Sequence, residues 1–246
     1  MNLSAPQFGL SVLATAYFPP VEYFFAVSHS ARVLIEQHEH YQKQSWRNRC
    51  RILSASGPED LSVPVQKEER HARPIRDIRI DYGEPWLQHH VRAFAAAYNA
   101  SAFYDYYAGD LLPILLRKPV FLFDLNMALL EKLMDLLGLD IPVSLTESFE
   151  APRTLEVLAS RERDVFIFDG RRRIQPKYKG ESLLAEYDCE QAYYQVFVNR
   201  DPASLRGSRP DLSSHSQLDR ESFIPNLSIL DLLCAEGPDA GRILRI

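Results

Sequence analysis

At the start of the chain, two apolar runs with the pattern of strands flank a segment with the composition of a helix. Residues 11–17 are rich in β-forming side chains and end near two prolines, and residues 32–37 form a second buried apolar run. The segment between them, residues 21–28, predicts a short helix that opens after Pro20. This order predicts a compact β-α-β unit in which the two strands are adjacent and parallel.

A hairpin and an edge strand are predicted next. Residues 50–54 and 61–65 have the pattern of strands and flank the turn sequence Ser56-Gly57-Pro58. Residues 75–82 alternate isoleucines with charged residues, which predicts a strand at the edge of the sheet. Parallel and antiparallel strands together predict a mixed β-sheet in this part of the chain.

Helical patterns dominate the middle of the chain. Pro85 stands at a first-turn position before an alanine-rich run, and Gly138 stops the last of these helices. The predicted helices are 86–98, 102–116 and 124–137. Beyond them, the pattern predicts strands at 164–168 and 193–198 and a closing helix at 227–234.

Together these elements predict an α/β (or α+β) fold with a single domain over residues 1–246. The domain combines the N-terminal β-α-β unit and the hairpin with a central helical segment. We find no internal repeat and no linker that clearly divides the chain into two domains. Residues 201–222 are rich in Ser, Arg, Pro and Gly without apolar periodicity, which predicts a flexible loop.

Composition narrows the class of protein. Of the 246 residues, 46% are hydrophobic, which supplies a sizeable core and excludes a disordered chain. The formal net charge of −5 argues against a nucleic-acid binder, and no apolar run reaches the roughly 18 residues of a membrane span. The N-terminus lacks the pattern of a signal peptide, and the dispersed cysteines suit a reducing compartment. We therefore expect a soluble, cytoplasmic protein, and no pattern here predicts its oligomeric state.

Basic residues concentrate in one segment of this acidic chain. In residues 42–79, Lys and Arg outnumber Asp and Glu by nine to five. On a strand, Arg47, Arg49 and Arg51 would share one face, beside Trp46. Guanidinium groups bind carboxylates and phosphates through paired hydrogen bonds, so this stripe predicts a site for a small anionic substrate. The alternative is a solvated strand face or a set of internal salt bridges.

A second candidate cluster follows the predicted strand at 32–37. Glu36, His38 and His40 share a face if the strand continues through them. Two imidazoles at this spacing suit a zinc ion, or they make ordinary hydrogen bonds. Nothing else in the sequence fixes further ligands, so we predict neither a bound metal nor a cofactor.

The third candidate is an aromatic helix face. Trp86, His90, Phe94 and Tyr98 recur at every fourth residue of the predicted helix. A histidine on such a face can have a shifted pKa and act as a general base near neutral pH. The alternative is a buried histidine that is satisfied by a backbone carbonyl.

Familiar catalytic motifs are absent from the sequence. The chain has no GxSxG elbow, no GxxxxGK[ST] phosphate-binding loop and no GxGxxG fingerprint. The basic run from Arg171 to Lys177 predicts an exposed loop rather than a site.

Several segments nevertheless carry a resemblance to a known family. The most specific are Ser45-Trp46-Arg47-Asn48-Arg49-Cys50-Arg51-Ile52 and the closing Pro225-Asn226-Leu227-Ser228 motif, which continues through Asp231. The other matching positions are 17–24, 61–65, Trp86, His90, Tyr98, Gly237 and Pro238. Over nearly its whole length the chain resembles the WbqC-like protein family, in the branch common in Bacteroidetes-type bacteria. It departs at Leu13-Ala14-Thr15-Ala16-Tyr17, where many members have His-Gln-Pro-Asn-Tyr, and at Gln37-His38, where many have Asp-Asp.

The resemblance implies a function in bacterial surface-polysaccharide (O-antigen-type) biosynthesis. It suggests a transferase that acts on an anionic activated sugar, such as a nucleotide sugar, or on an acyl or aminoacyl donor. The alternative is a non-catalytic binding or regulatory module for envelope-glycan assembly.

The enzyme hypothesis assigns roles to the candidate residues. His90 is the general base, and Glu36 or His38 orients it or the substrate. Arginines neutralise the anionic group, and tryptophans provide a stacking surface. The substrate-binding residues of this hypothesis are Tyr17, Trp46, Arg47, Asn48, Arg49, Arg51, Trp86, Tyr98, Asn226 and Asp231.

Overall fold

The fold is organised around a four-stranded parallel β-sheet. The computed structural model of the chain describes residues 8–66, 73–151, 166–187, 193, 195 and 223–245. The strands of the sheet are β1 (Leu10–Ala14), β2 (Val33–Glu36), β5 (Val143–Leu145) and β6 (Ile167–Asp169). They lie in the order β5-β2-β1-β6, and every pair is parallel. The predicted α/β class is therefore confirmed.

The predicted β-α-β unit is also confirmed. β1 and β2 are neighbours in parallel, with Ser11 opposite Val33, and α1 (Val21–Ser28) connects them. Residues 21–27 of this helix are all buried. A helix that is apolar on most sides lies inside the protein, which explains why so short a crossover is stable here.

The predicted hairpin forms, but it pairs only with itself. β3 (Arg49–Ser54) and β4 (Gly57–Ser62) are antiparallel, and within the described residues they make a separate two-stranded sheet. Gly57 at the turn has a φ of 114°, which favours glycine. Cys50, Ile52 and Leu61 bury one face of the hairpin in the core, so it packs on helices instead of extending the parallel sheet.

The prediction of an edge strand at 75–82 is wrong. Residues 75–77 form a short 3-10 turn, and this segment makes only isolated bridges, such as Val65 with Ile80. Ile75 and Ile78 are both fully buried. A spacing of three between inward side chains is typical of a tight helical turn and not of a strand.

The helical middle of the chain matches the prediction closely. It consists of α2 (Trp86–Tyr98), α3 (Tyr104–Leu116) and α4 (Leu122–Leu136). Gly138, with a φ of 62°, follows α4 and ends it as predicted. The remaining helices are short: α5 (Gly170–Arg173), α6 (Leu183–Glu186), α7 (Ile229–Glu236) and α8 (Ala240–Ile243).

One large cluster of buried side chains extends from the first strand to the last helix. The predicted loop at 201–222 lies outside the described residues, and so does the predicted strand at 193–198 apart from residues 193 and 195. Within the described part of the chain, no helix is both long enough and apolar enough to cross a membrane.

Candidate functional site

A crevice opens where β1 and β6 end. Its lining combines the end of β1 and the two residues that follow it with residues at the two ends of α5, the helix that follows β6. The lining residues are Ala14, Thr15, Ala16, Tyr23, Trp46, Arg47, Gly170, Ile174 and Gln175. After β1 the chain builds β2 on one side and later returns to build β6 on the other. In open parallel sheets, ligands bind outside the carboxyl ends of the strands at such a reversal of strand order. We call this site the edge crevice.

The edge crevice is small. It encloses about 220 Å³ of space, which includes its mouth toward solvent. That is below the roughly 300–1,000 Å³ of a typical ligand pocket, so the crevice holds a small group of a ligand and not a whole donor.

Three of the residues that line the crevice each have a buried polar atom without a hydrogen-bond partner among the described residues. These atoms are the Thr15 hydroxyl oxygen, the Trp46 indole nitrogen and Nη1 of Arg47. All three residues are at most 2% exposed. A buried donor left without a partner costs about 1–3 kcal/mol, so these groups favour an acceptor that enters the crevice.

Arg47 is held in place by a buried ion pair. Its Nε donates to Oε1 of Glu39 at 2.7 Å and its Nη2 to Oε2 at 2.5 Å. Glu39 is only 4% exposed. The backbone is fixed as well, because Asn126 on α4 donates to the Arg47 carbonyl and the Tyr17 N–H donates to the Trp46 carbonyl. The crevice side of the guanidinium is therefore rigidly placed.

The structure separates Arg47 from the other two arginines of the predicted stripe. Arg47 precedes β3, so the alternation of a strand does not reach it. Arg49 and Arg51 lie on β3 and both pair with Asp60 across the hairpin, at 3.2 and 2.7 Å. A single face with three arginines is thus wrong, and the alternative of internal salt bridges describes Arg49 and Arg51.

Asn48 and Arg51 contact the surroundings of the crevice without lining it. Asn48 donates to the Val63 carbonyl at 2.9 Å, which closes the open end of the hairpin. The Arg51 guanidinium lies 5.7 Å from the centre of the Trp46 ring. This cation–π contact links the hairpin to the side chain that carries the unpaired indole N–H.

We expect Arg49→Met and Arg51→Met each to change the free energy of unfolding by less than about 1 kcal/mol. Both side chains are about one quarter exposed, and partly exposed ion pairs add little stability. Urea denaturation of the two variants beside the parent protein measures this. A loss above about 2 kcal/mol in either variant would show that the ion pairs with Asp60 contribute strongly to the stability of the fold.

Glu36 lies at the end of β2 in a second buried network. It is fully buried and accepts from the backbone N–H groups of His38 and Glu150, from the Thr146 hydroxyl and from Arg171. The ring of His38 lies 3.1 Å from the Thr146 carbonyl. These bonds join the ends of β2 and β5 to the start of α5.

Arg171 corrects the prediction of an exposed basic loop at 171–177. The segment starts with α5, and the Arg171 side chain is 5% exposed. It pairs with Asp169 at 2.7 Å and with Glu36 at 3.1 Å. Burial opposes the charge of Arg171, but Asp169, Glu36 and Glu39 raise its pKa on balance.

His90 is buried in an aromatic cage on α2. Its Nδ1 lies 2.9 Å from the Tyr17 hydroxyl, and the ring also bonds to the Ser62 carbonyl. Burial, together with the neighbouring His89, lowers the pKa of His90 to about 4. The imidazole is therefore neutral at pH 7, and its Nδ1 is engaged by Tyr17. This is the arrangement of a satisfied buried histidine.

The remaining aromatic candidates on α2 are also buried. Trp86 donates its indole N–H to the Asp81 carbonyl at 3.1 Å and stacks on Tyr82. Tyr98 lies at the other end of the helix, where burial and then Asp231 raise its pKa. Neither side chain lines the edge crevice.

The C-terminal motif docks on the loop that follows β1. Asn226 has a left-handed backbone with a φ of 64°, and the next residues bond to the Pro19 carbonyl and to the Arg51 carbonyl. Asp231 on α7 is fully buried, and burial and then the charge of Asp231 raise the pKa of Tyr193. The motif therefore stabilises the chain segment behind the crevice. Neither Asn226 nor Asp231 lines the crevice.

The structure brings together only part of the predicted site. Trp46 and Arg47 line the edge crevice, and Tyr17 directly follows its lining residue Ala16. The proposed base His90 and the proposed orienting residues Glu36 and His38 do not line it. Their catalytic roles stay a prediction.

Sequence reasoning missed Thr15, Glu39, Gly170 and Gln175. Thr15 carried a usable signal, because it directly follows a buried strand of a predicted β-α-β unit, where parallel sheets bind their ligands. Glu39 carried no such signal, because its pairing with Arg47 is determined by the tertiary fold. In the part of the chain that the structure describes, no group of three or more His, Cys, Asp or Glu side chains has the arrangement of a metal site.

Comparison with known proteins shows what the chain is related to. The Uncharacterized protein Rv1507c of Mycobacterium tuberculosis (strain ATCC 25618 / H37Rv) is 27% identical to it over 242 residues, which cover 96% of this chain and 97% of that protein. No solved structure matches the chain. The model of the WbqC-like protein family matches residues 15–243. Because this match covers more than nine tenths of the chain and all but one of the residues that line the edge crevice, the protein belongs to the WbqC-like protein family.

Proposed function

We propose that the protein is a transferase of bacterial surface-polysaccharide biosynthesis that binds the anionic group of an activated donor in the edge crevice. The donor is an activated sugar or an acyl or aminoacyl compound. The observation that carries this proposal is the set of three unpartnered donors, on Thr15, Trp46 and Arg47, at the ends of β1 and β6.

The chemistry of the three groups supports an oxygen-rich, negatively charged ligand. A guanidinium and an indole N–H only donate hydrogen bonds, and a hydroxyl donates as readily as it accepts. Carboxylate and phosphoryl oxygens are acceptors with several lone pairs. Hydrogen bonds from a guanidinium to such anions are short and strong, so Arg47 supplies most of the binding and Thr15 and Trp46 fix the orientation.

Family membership supports the biological half of the proposal. The WbqC-like family is associated with surface-glycan gene clusters, in which activated donors are transferred to growing glycans. His90 is the proposed base of this transfer. In the described conformation its Nδ1 faces the Tyr17 hydroxyl, so base catalysis requires that hydroxyl to turn away.

A binding or regulatory module is the second candidate, and a specific observation favours it. Glu39, the carboxylate that pairs with Arg47, is fully engaged by it, and His90 is neutral at pH 7 with its Nδ1 at the Tyr17 hydroxyl. Neither is poised to take a proton. Such a crevice binds an anion as it stands, without a catalytic step.

A thermal-shift screen of the purified protein tests the binding half of the proposal. The ligands are nucleotide sugars, aminoacyl donors and simple glycan phosphates, and a ligand present at 100 times its Kd stabilises the folded state by about 2.7 kcal/mol. Incubation of each hit with an acceptor glycan, followed by mass spectrometry, separates the two candidates. Consumption of the donor supports the transferase, and binding without turnover supports the module.

We expect Thr15→Val to weaken binding of the best donor about tenfold, the effect of one lost hydrogen bond to a charged group. The change keeps the side-chain volume, and because the hydroxyl has no partner in the described residues, the stability should not fall. Calorimetric titration and urea denaturation measure the two quantities.

Thr146→Val is the matched control. Its hydroxyl is equally buried but donates to Glu36 at 2.9 Å, away from the crevice. This variant should lose about 1–3 kcal/mol of stability and keep its ligand affinity. The proposal fails if Thr15→Val binds as well as the parent protein.

A further inference from the structure

The charged side chains behind the edge crevice do not give it a strongly positive net charge. Glu39 pairs with Arg47, and Arg171 pairs with Glu36 and Asp169. The carboxylate of Glu39 also acts on Arg171, so the two networks are neighbours. In this described set, three carboxylates face two guanidinium groups, which leaves one negative charge in excess.

The guanidinium that reaches the crevice is already neutralised. Glu39 takes two of its nitrogens in a bidentate pair, and both partners are almost completely buried. Only Nη1 remains without a partner among the described residues. A ligand at Nη1 therefore meets strong hydrogen-bond donors but little net positive potential, because the Glu39 carboxylate lies on the far side of the same group.

These two facts set a limit on the charge of the ligand. A single negative charge gains the hydrogen bonds of Arg47, Thr15 and Trp46 and meets modest repulsion. A second negative charge gains no further donor in this set and is repelled by the excess carboxylate in a site shielded from water. The crevice is also small, about 220 Å³ with its mouth, which favours a planar carboxylate over a bulkier tetrahedral phosphate.

We infer, on the basis of the proposed function, that the anionic group bound in the edge crevice is a singly charged carboxylate and not a phosphate monoester. The donor or acceptor that the protein handles thus carries a carboxylate, which Arg47 binds while Thr15 and Trp46 orient it. Glu39 sets this selectivity through its charge and does not touch the ligand.

The two tryptophans of the chain give a direct measurement. The indole N–H of Trp46 is unpartnered in the described structure, whereas that of Trp86 is bonded to the Asp81 carbonyl. In ¹⁵N-labelled protein the two indole signals are resolved by NMR and assigned with Trp46→Phe. A ligand in the crevice moves the Trp46 signal, and the Trp86 signal is the internal reference.

Three small probes at pH 7.5 separate charge from shape. Acetate carries one negative charge, acetamide is its neutral counterpart, and methyl phosphate is mostly a dianion. We expect acetate to move the Trp46 signal with an affinity at least about tenfold higher than that of either other probe. Acetamide accepts only neutral hydrogen bonds, which are weaker than those from a guanidinium to a carboxylate, and the second charge of methyl phosphate is repelled by the excess carboxylate.

Glu39→Gln isolates the cause. The amide keeps the shape and an acceptor for Arg47 but removes one negative charge, so the affinity for methyl phosphate should rise about tenfold relative to acetate. The ¹⁵N spectrum shows whether this variant is folded. If it is not, the three probes on the parent protein decide the question.

Each outcome has one meaning. Methyl phosphate that moves Trp46 at or below the concentration of acetate overturns the carboxylate inference and leaves the proposed function intact. Acetamide that binds as well as acetate also overturns it, because the crevice then recognises an acceptor and not a charge. If no probe moves Trp46, the edge crevice is not an anion site, and the proposed function falls with the inference.

Discussion

Arg171→Met is expected to lower the free energy of unfolding by about 3–5 kcal/mol. Arg171 makes the ion pair to Glu36, whose side chain is fully buried. Removing the guanidinium leaves that carboxylate inside the protein with hydrogen-bond donors but no opposite charge. It also frees Asp169 and the Glu150 carbonyl, both of which Arg171 contacts. Urea denaturation, followed by circular dichroism, measures the loss.

The double variant Arg171→Met/Glu36→Gln tests the cause of this loss. If the uncompensated charge of Glu36 is responsible, neutralising it should recover at least about half of the lost stability, because replacing both partners of a buried pair costs much less than breaking it. Arg49→Met is the control, since it removes an arginine from an ion pair whose side chains are about one quarter exposed. A loss below about 1 kcal/mol in Arg171→Met would mean that this network contributes no more than a surface pair.

Much of the fold was predictable because local signals and tertiary structure agree in it. The helix at 86–98 was predicted with its observed ends, since Pro85 precedes it and its apolar residues repeat every fourth position. The parallel pair of β1 and β2 followed from the order strand, helix, strand. By contrast, β5 has only three residues, and its pairing with β2 depends on a partner more than a hundred residues away. No local pattern specifies such a strand.

From the sequence, only those parts of the candidate site were predictable that the chemistry of single side chains identifies. Trp46 and Arg47 were singled out by their chemistry, and both line the edge crevice. The error was to continue the period of a strand through Arg47, which lies before β3 and turns inward to Glu39. The pairing of two charges eight residues apart, through a segment without regular structure, is a tertiary event. The same holds for Arg171, whose burial contradicts the polarity of the run around it.

A second expected effect on stability comes from Glu22, and this one depends on pH. It lies on α1, is 5% exposed, and accepts one long hydrogen bond of 3.4 Å from the Leu183 N–H. Burial raises its pKa to about 7, although the Leu183 bond and the charge of Arg173 oppose the rise. The group therefore stays protonated in the folded protein at pH values where it is already ionised in the unfolded chain.

Glu22→Gln is expected to stabilise the protein by up to about 3 kcal/mol at pH 8 and to leave its stability unchanged at pH 4. Below about pH 3.5 the carboxyl is neutral in both states, and at pH 4 only a minor fraction of the unfolded chain has ionised, so its burial carries almost no charge penalty. As the pH rises to about 7, the unfolded chain loses the proton first, and the parent protein becomes less stable until the folded state ionises as well. Glutamine is never charged and keeps an acceptor for Leu183.

The difference between the two proteins isolates Glu22 from other titrating groups. His90, whose pKa is lowered, makes both proteins less stable as the pH falls below about 6.5, and this effect cancels in the comparison. Glu131→Gln, on the exposed side of α4, is the control for the same change of side chain at the surface. Urea denaturation at pH 4, 6 and 8 gives the three differences. A gain that is equal at all three values would trace the effect to packing, and a loss at pH 8 would mean that the carboxylate of Glu22 is stabilised by Arg173 more than it is penalised by burial.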